Sequence, residues 1–286
     1  MIPHELARAV LYVTAAAYVA LLPAGARSEH LTSAASPPAL FLAGTDHRIP
    51  IQPDTWPWSS IGRVNVVQGF ATHYCTGTLI GRRQVLTAAH CLFDTRLNAW
   101  ARPEQVHFVA GQSRDGEFRG HSVALDITAD PNFRPASRES PGHALVQPNT
   151  IARDWAIVTL VDTLDLSPIT WRVIRNADLP GPAEAGEIAR SGYSQDRPFL
   201  LSVHWGCSVK TDSPRPGSLV HRCDSKPGDS GSPLLLLNNE AASLIGIHTA
   251  VIRKSPGRRG YSPEAGLGVS ASAFQAAAAL AVEQNP

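Results

Sequence analysis

Between Ile61 and Val269 the chain falls into short runs rich in β-branched and aliphatic residues, punctuated by Gly, Pro, Asn and Asp. The runs are Ile61 to Val67, Thr78 to Ile80, Gln84 to Thr87, Gln105 to Ala110, His121 to Ile127, Trp155 to Val161, Glu187 to Gly192, Leu200 to Val209, Ser218 to Cys223, Ser232 to Leu237, Leu244 to Val251 and Gly266 to Val269. No long stretch of helical periodicity separates them. Segments this short and numerous bury their apolar faces by pairing side by side, which predicts antiparallel barrels or sandwiches and argues against a βαβ fold. The exception is the alanine-rich tail from Ser272 to Glu283, which predicts a terminal helix. The expected class is all-β. At 286 residues, 43% of them hydrophobic, the chain can build one large core or two of about half that size.

The N-terminus has the form of an export signal. Arg8 precedes an apolar run from Ala9 to Leu22, and Ala24-Gly25-Ala26 follows as a small-x-small cleavage site. The run is short for a membrane span. Residues 1–26 are therefore expected to be removed, residues 27–48 to form a linker or short pro-segment, and the mature chain to be secreted or periplasmic. Pro131 to Thr150, with four prolines, is expected to be a long surface loop. The 25 basic and 24 acidic residues form no basic stripe, which argues against nucleic acid as a partner.

Four cysteines suit an oxidising compartment. Three pairings are possible. The local pairs Cys75 with Cys91 and Cys207 with Cys223 are favoured, each closing a modest loop. A zinc site is disfavoured because the sequence has neither C-x-x-C nor H-E-x-x-H, and no metal or cofactor is expected.

The stretch KPGDSGSPLL, Lys226 to Leu235, sets Ser230 between glycines just ahead of an apolar run. Glycine costs entropy on folding and is placed where the backbone takes unusual angles or approaches something closely. Such a turn could simply precede a buried strand, or it could aim a hydroxyl and its neighbouring N–H groups at a substrate. A serine nucleophile needs a base, a group that orients the base, and donors for the developing oxyanion. His90, in VLTAAHC, is the strongest candidate base among the eleven histidines.

CTGTLIGRRQVLTAAHC together with GDSGSP resembles the chymotrypsin-like serine proteases, in which the first motif carries the general base and the second the nucleophile. The resemblance implies a third member between them, ahead of an apolar strand, and RDWAIVTL supplies Asp154 there; Asp126, Asp162 and Asp165 lead into no similar run. The order His90, Asp154, Ser230 is that of chymotrypsin and differs from the α/β-hydrolase order. GTDHRIPIQPDTWPWSSIGRV, SGYSQDRPFLLSV and GIHTA are similar to the bacterial trypsin-like group that includes the glutamyl endopeptidases. That likeness implies two six-stranded antiparallel barrels packed face to face: residues 49–167 carrying His90 and Asp154, and residues 168–286 carrying Ser230 and the terminal helix. It also implies an oxyanion hole from the Gly228 and Ser230 amides. The expected partners are a polypeptide substrate and a proteinaceous inhibitor, with no membrane after signal removal, and the expected state is monomeric. A non-catalytic relative on the same fold and an esterase with the same triad are the alternatives.

The family likeness further implies a specificity pocket at Asp224, Ser225, His248, Thr249 and Gly266. Asp224, six residues before Ser230, would favour Arg or Lys before the scissile bond, as in trypsin; His248 would read an acidic side chain, as in glutamyl endopeptidases. In trypsin-like zymogens the aspartate before the nucleophile pairs with a newly freed N-terminal amine. Asp229 and the Arg48-Ile49 bond are the corresponding elements here, although Pro50 departs from the usual start.

Overall fold

The computed structural model describes residues 46–68, 71–135, 148–179, 187–211, 215–238, 241–252 and 265–285. The export signal, most of the 27–48 linker and most of the Pro131–Thr150 loop lie outside the described residues. The first part of the chain lays down β1 (Ile49–Pro50), β2 (Ile61–Gln68), β3 (Ala71–Leu79), β4 (Gln84–Thr87), β5 (Phe93–Asp94), β6 (Ala99–Trp100), β7 (Val106–Ala110), β8 (Gly120–Ala129) and β9 (Ala156–Leu160). The second lays down β10 (Ile188–Gly192), β11 (Ser202–Trp205), β12 (Val209–Lys210), β13 (Ser218–His221), β14 (Pro233–Asn238), β15 (Ala241–Ile252), β16 (Ala265–Ser270) and the helix α1 (Ala271–Gln284). No helix of the described residues is long and apolar enough to cross a membrane.

β2, β3, β4, β9, β8 and β7 close in that order into a barrel, while β5 and β6 form a small hairpin of their own. Its interior is filled by one cluster in which Val64, Val85, Phe108, Val158 and Leu160 are buried. The second half is an eight-stranded antiparallel sheet ordered β1-β11-β10-β14-β15-β16-β13-β12. Where a second six-stranded barrel is expected, six of those strands form the body of a sheet that, among the described residues, is not closed, and the two-residue strands β1 and β12 are its edges. The boundary predicted at residue 49 assigns Ile49 and Pro50 to the first barrel. They pair instead with Val203 and Ser202 of β11. An edge suits Pro50, which has no N–H to give a ladder.

Two predicted runs differ from the strands observed by more than a few residues at their ends. Leu200 to Val209 is divided into β11 and β12 by Gly206, whose φ of +69° breaks the extended chain. β3 begins well before the expected Thr78, because all of β2 pairs with it from Ile61↔Thr78 to Gln68↔Ala71 although ATHYCTG carries little apolar pattern. A shared cluster joins the halves: Ile61, Leu86 and Ile157 from the barrel meet Leu235, Ile247 and Phe274 from the sheet and helix. Burying large side chains there, at roughly 1.5–3 kcal/mol each, holds the loops of both halves against one another.

Candidate active site

His90 lies on the short 3-10 helix Ala89–Leu92, directly after β4. Cys91 beside it is bonded to Cys75 of β3, so the histidine is tied to the barrel wall; Cys207 and Cys223 form the second disulfide. Asp154 lies between the short 3-10 helix Pro148–Arg153 and β9, and its side chain is fully buried. Its Oδ1 accepts the His90 backbone N–H at 2.9 Å, and its Oδ2 lies 2.7 Å from His90 Nδ1. His90 Nε2 is 2.9 Å from Ser230 Oγ. Carboxylate, imidazole and hydroxyl thus form one hydrogen-bonded chain. Burial pulls the His90 pKa down, but the Asp154 charge and hydrogen bond together override it, and the net value is raised above 6.5.

The turn around Ser230 takes shapes that only glycine tolerates. Gly228 has a φ of +95° and Gly231 a φ of +81°. A Cβ on Gly228 would stand 2.6 Å from the Tyr193 carbonyl oxygen and 3.0 Å from the Gln195 nitrogen, and one on Gly231 would overlap the Thr76 carbonyl. Thr76 braces the turn: its N–H donates to the Ser230 carbonyl at 2.9 Å and its hydroxyl to the Gly228 carbonyl at 3.1 Å. The Gly228 and Ser230 N–H groups donate to no acceptor among the described residues.

Asp229 is buried and meets a guanidinium. Arg190 Nη1 of β10 lies 2.8 Å from Asp229 Oδ1, with both side chains fully covered. The Ser194 hydroxyl is 2.8 and 2.9 Å from the two carboxylate oxygens, and the Lys226 N–H donates to Oδ2 at 2.8 Å. In the intact chain Asp229 therefore takes its cation from Arg190 rather than from a freed N-terminal amine. The Arg48-Ile49 bond leads directly into β1, and the Arg48 side chain is buried.

The five pocket candidates divide. Asp224 Oδ2 accepts the His47 N–H at 2.8 Å and lies 2.9 Å from His47 Nδ1, while the Asp224 N–H donates to His204 Nδ1 at 2.8 Å. Its carboxylate is thus engaged by the segment before β1. Ser225 is buried, with a hydroxyl that has no partner among the described residues. Thr249 is buried on β15 and donates at 3.4 Å to the Leu267 carbonyl. Gly266 faces His221 so closely that any Cβ would overlap the imidazole.

His248 Nδ1 lies 2.9 Å from His221 Nε2, and His221 Nδ1 accepts the Cys223 N–H. That last bond fixes the tautomers. His221 Nδ1 bears no proton, so His221 Nε2–H donates to His248 Nδ1, and neutral His248 carries its proton on Nε2. Burial, aided by the Arg190 charge, holds His221 at about 3; burial, with His221 and Arg190, holds His248 well below 6.5. Burial also lowers His204, to about 4, against the pull of Asp224.

Of the donor groupings close enough for a metal, Cys75, His90 and Cys91 lose two members to a disulfide, and His47, His204 and Asp224 are engaged with one another. A groove of about 360 Å³ on the barrel, near Trp100, Asp126 and Phe133, is lined by none of His90, Asp154 and Ser230. Sequence reasoning leaves out Arg190, Ser194 and His221, and takes Arg48 only as one side of a cleavable bond. The available signal was an arginine inside the apolar run Glu187 to Gly192, a position no solvated charge would occupy.

The profile of the trypsin-like peptidase domain matches residues 75–247. Serine protease 23 of Rattus norvegicus is 30% identical over 166 residues, which are 55% of this chain and 42% of that protein, so the chain matches less than half the length of this relative. Among solved structures, that of a Glu endopeptidase in complex with MPD superposes with a TM-score of 0.60 at 21% identity, covering 82% of this chain and 98% of that one. An inactivated protease paralogue from the scabies mite superposes at 0.54 and 16% identity, covering 85% and 98%.

Proposed function

This chain belongs to the trypsin-like peptidase family, and from that premise we propose that it is an exported serine endopeptidase working through a Ser230-His90-Asp154 triad and an acyl-enzyme. The observation that carries the reading is the continuous chain Asp154 Oδ2, His90 Nδ1, His90 Nε2, Ser230 Oγ beside two uncommitted N–H groups. Ser230 Oγ attacks the peptide carbonyl while His90 Nε2 takes its proton. The carbonyl oxygen, now negative, is held by the Gly228 and Ser230 amides. His90 then returns the proton to the leaving amine, and water repeats the sequence to release the acid and restore Ser230. Asp154 keeps the ring in the required tautomer and stabilises the imidazolium. Two disulfides support export.

An organophosphonate tests this directly. Adduct mapped to Ser230, and absent in His90→Ala, is the expected result; an unlabelled wild-type chain would mean a binding protein on a protease fold. Ser230→Ala should lose on the order of 10⁴- to 10⁶-fold in turnover.

For specificity, the tautomer chain favours an acidic residue before the scissile bond. His248 offers an N–H, which a carboxylate accepts and an ammonium or guanidinium does not, and the Asp224 carboxylate is already engaged by His47. A peptide panel varying only that residue should rank Glu above Leu and Arg. Equal cleavage of all three would remove both Asp224 and His248 from the specificity account.

A further inference from the structure

Arg48 stands ahead of β1, in a segment the sequence marks as linker, yet its guanidinium is fully covered. Three of its bonds go to Asp46, with Nε 2.9 Å from Oδ1, Nη2 2.7 Å from Oδ2, and the backbone N–H 3.1 Å from Oδ1. Two more go to Asp196, with Nη1 3.0 Å from Oδ1 and Nη2 2.6 Å from Oδ2. Those carboxylates are about a third to a half exposed and would hold the cation at the surface. One donor points inward instead. Arg48 Nη1 donates to Ser194 Oγ at 2.7 Å, and that hydroxyl donates in turn to Asp229, the residue between the two oxyanion amides.

Ser194 has only one proton to give, so its acceptance from Arg48 fixes the direction of its bond to Asp229. Its neighbours touch the same turn. The Tyr193 carbonyl and Gln195 nitrogen are the atoms crowding Gly228, and the Gln195 N–H donates to the Pro227 carbonyl at 2.7 Å. Residues 193–195 therefore cradle residues 227–229, with Arg48 behind the middle of the cradle. Arg197 Nη1 donates to the Arg48 carbonyl at 2.8 Å, and the pairing of β1 with β11 secures the next two residues.

We propose that Arg48 is a positioning residue for the reaction: acting through Ser194 and Asp229, the Asp46–Arg48 segment of the uncut chain holds the Gly228–Ser230 turn in its competent shape, so that cleavage after Arg48 detaches a brace instead of supplying a missing cation. The proposal rests on the reading of Ser230 as nucleophile and Gly228 as oxyanion donor.

The test compares the full chain with Arg48→Ala, Arg48→Lys and Ser194→Ala. Active sites are titrated with an organophosphonate, and kcat and KM are measured separately with and without a low, non-denaturing concentration of guanidinium. Because a misplacement of about 1 Å can cost on the order of 100-fold, Arg48→Ala should lower kcat about 10- to 100-fold with KM little changed. Guanidinium should recover part of that loss, and Arg48→Lys should fall between. If Arg48→Ala does not fold, Ser194→Ala, which deletes only the relay hydroxyl, should show the same loss of kcat. Wild-type kcat in a folded Arg48→Ala or Ser194→Ala would overturn the proposal, as would a chain cut after Arg48 that outpaces the intact one. A wild-type chain that fails to label at Ser230 would instead overturn the nucleophile assignment, so the two failures are separable.

Discussion

Replacing Gly228 by alanine adds one methyl group at the point where the turn geometry and the proposed chemistry meet. The competent turn has a φ of +95° at this residue, a region whose occupation by a residue with a Cβ costs about 1–3 kcal/mol. The new Cβ would also meet the Tyr193 carbonyl oxygen at 2.6 Å and the Gln195 nitrogen at 3.0 Å. Neither atom is free to retreat, because Tyr193 N–H is bonded to the Thr76 hydroxyl and Gln195 N–H to the Pro227 carbonyl. The turn must therefore rotate, which breaks the Thr76 hydroxyl bond to the Gly228 carbonyl at a cost of about 1 kcal/mol and swings the Gly228 amide away from the oxyanion. Loss of one such donor typically lowers kcat by about 10²–10³-fold. The disturbance is confined to one turn, so near-UV circular dichroism should stay native-like while turnover per titrated site falls by that factor. A Gly228→Ala protein that turns over within about twofold of wild type would refute the assignment of this amide to the oxyanion hole.

The remaining predictions concern charge. Because the Asp154 carboxylate raises the His90 pKa above 6.5 and the base must be neutral to act, kcat/KM should fall as pH drops, with its acid limb above 6.5. Asp154→Asn removes that support, so the limb should move to lower pH while kcat drops about 10⁴-fold; a limb that stays put in the pH–rate profile would contradict the coupling. The buried histidines act on stability in the opposite sense. In the unfolded chain they take protons near 6.5, but in the folded chain only at about 4 for His204, about 3 for His221 and well below 6.5 for His248. Stability present above pH 6.5 should thus decline steadily as pH falls toward 4, by on the order of several kcal/mol in urea titrations; a flat profile over that range would count against neutral burial. Arg190→Met should cost about 3–5 kcal/mol by stranding the Asp229 charge, with part regained in Arg190→Met/Asp229→Asn, and an unchanged denaturation midpoint in the single variant would show that the pair carries no such weight.

The parts legible in the sequence are those where local chemistry and tertiary role coincide. β4 is read to the residue because Val85 and Leu86 form its apolar centre and all four residues, Gln84 to Thr87, are buried. The helix is read within a residue or so because alanine is helix-prone wherever it lies. Ser230 is legible because its glycines are demanded by backbone angles that leave a trace in composition. Partners chosen by three-dimensional proximity leave no such trace. Nothing around Asp229 in the sequence points to Arg190 or Ser194, which lie 39 and 35 residues earlier, and β10 had to be placed beside β14 before the ion pair could exist. The surroundings of Asp224 leave no trace for the same reason: its offset from Ser230 suggests a pocket carboxylate, and the sequence gives no sign of the bonds it makes to His47, 177 residues away.

β3 explains why residues from three distant segments stay in register. Cys75 holds Cys91, and with it the 3-10 helix bearing His90; the adjacent Thr76 holds both the Ser230 and Gly228 carbonyls and accepts the Tyr193 N–H. His90 and the Ser230 turn, the proposed base and nucleophile, are thus anchored to consecutive residues of one barrel strand, although His90 belongs to the barrel and Ser230 to the other half. Asp154 joins the same frame through β9, which pairs with β4 immediately before His90. A shear between the two halves would have to break bonds at Thr76 before it could lengthen the 2.9 Å separation of His90 and Ser230. The polar braces therefore define the distance on which the proposed proton transfer depends, while the apolar cluster between the halves supplies the force that keeps them closed.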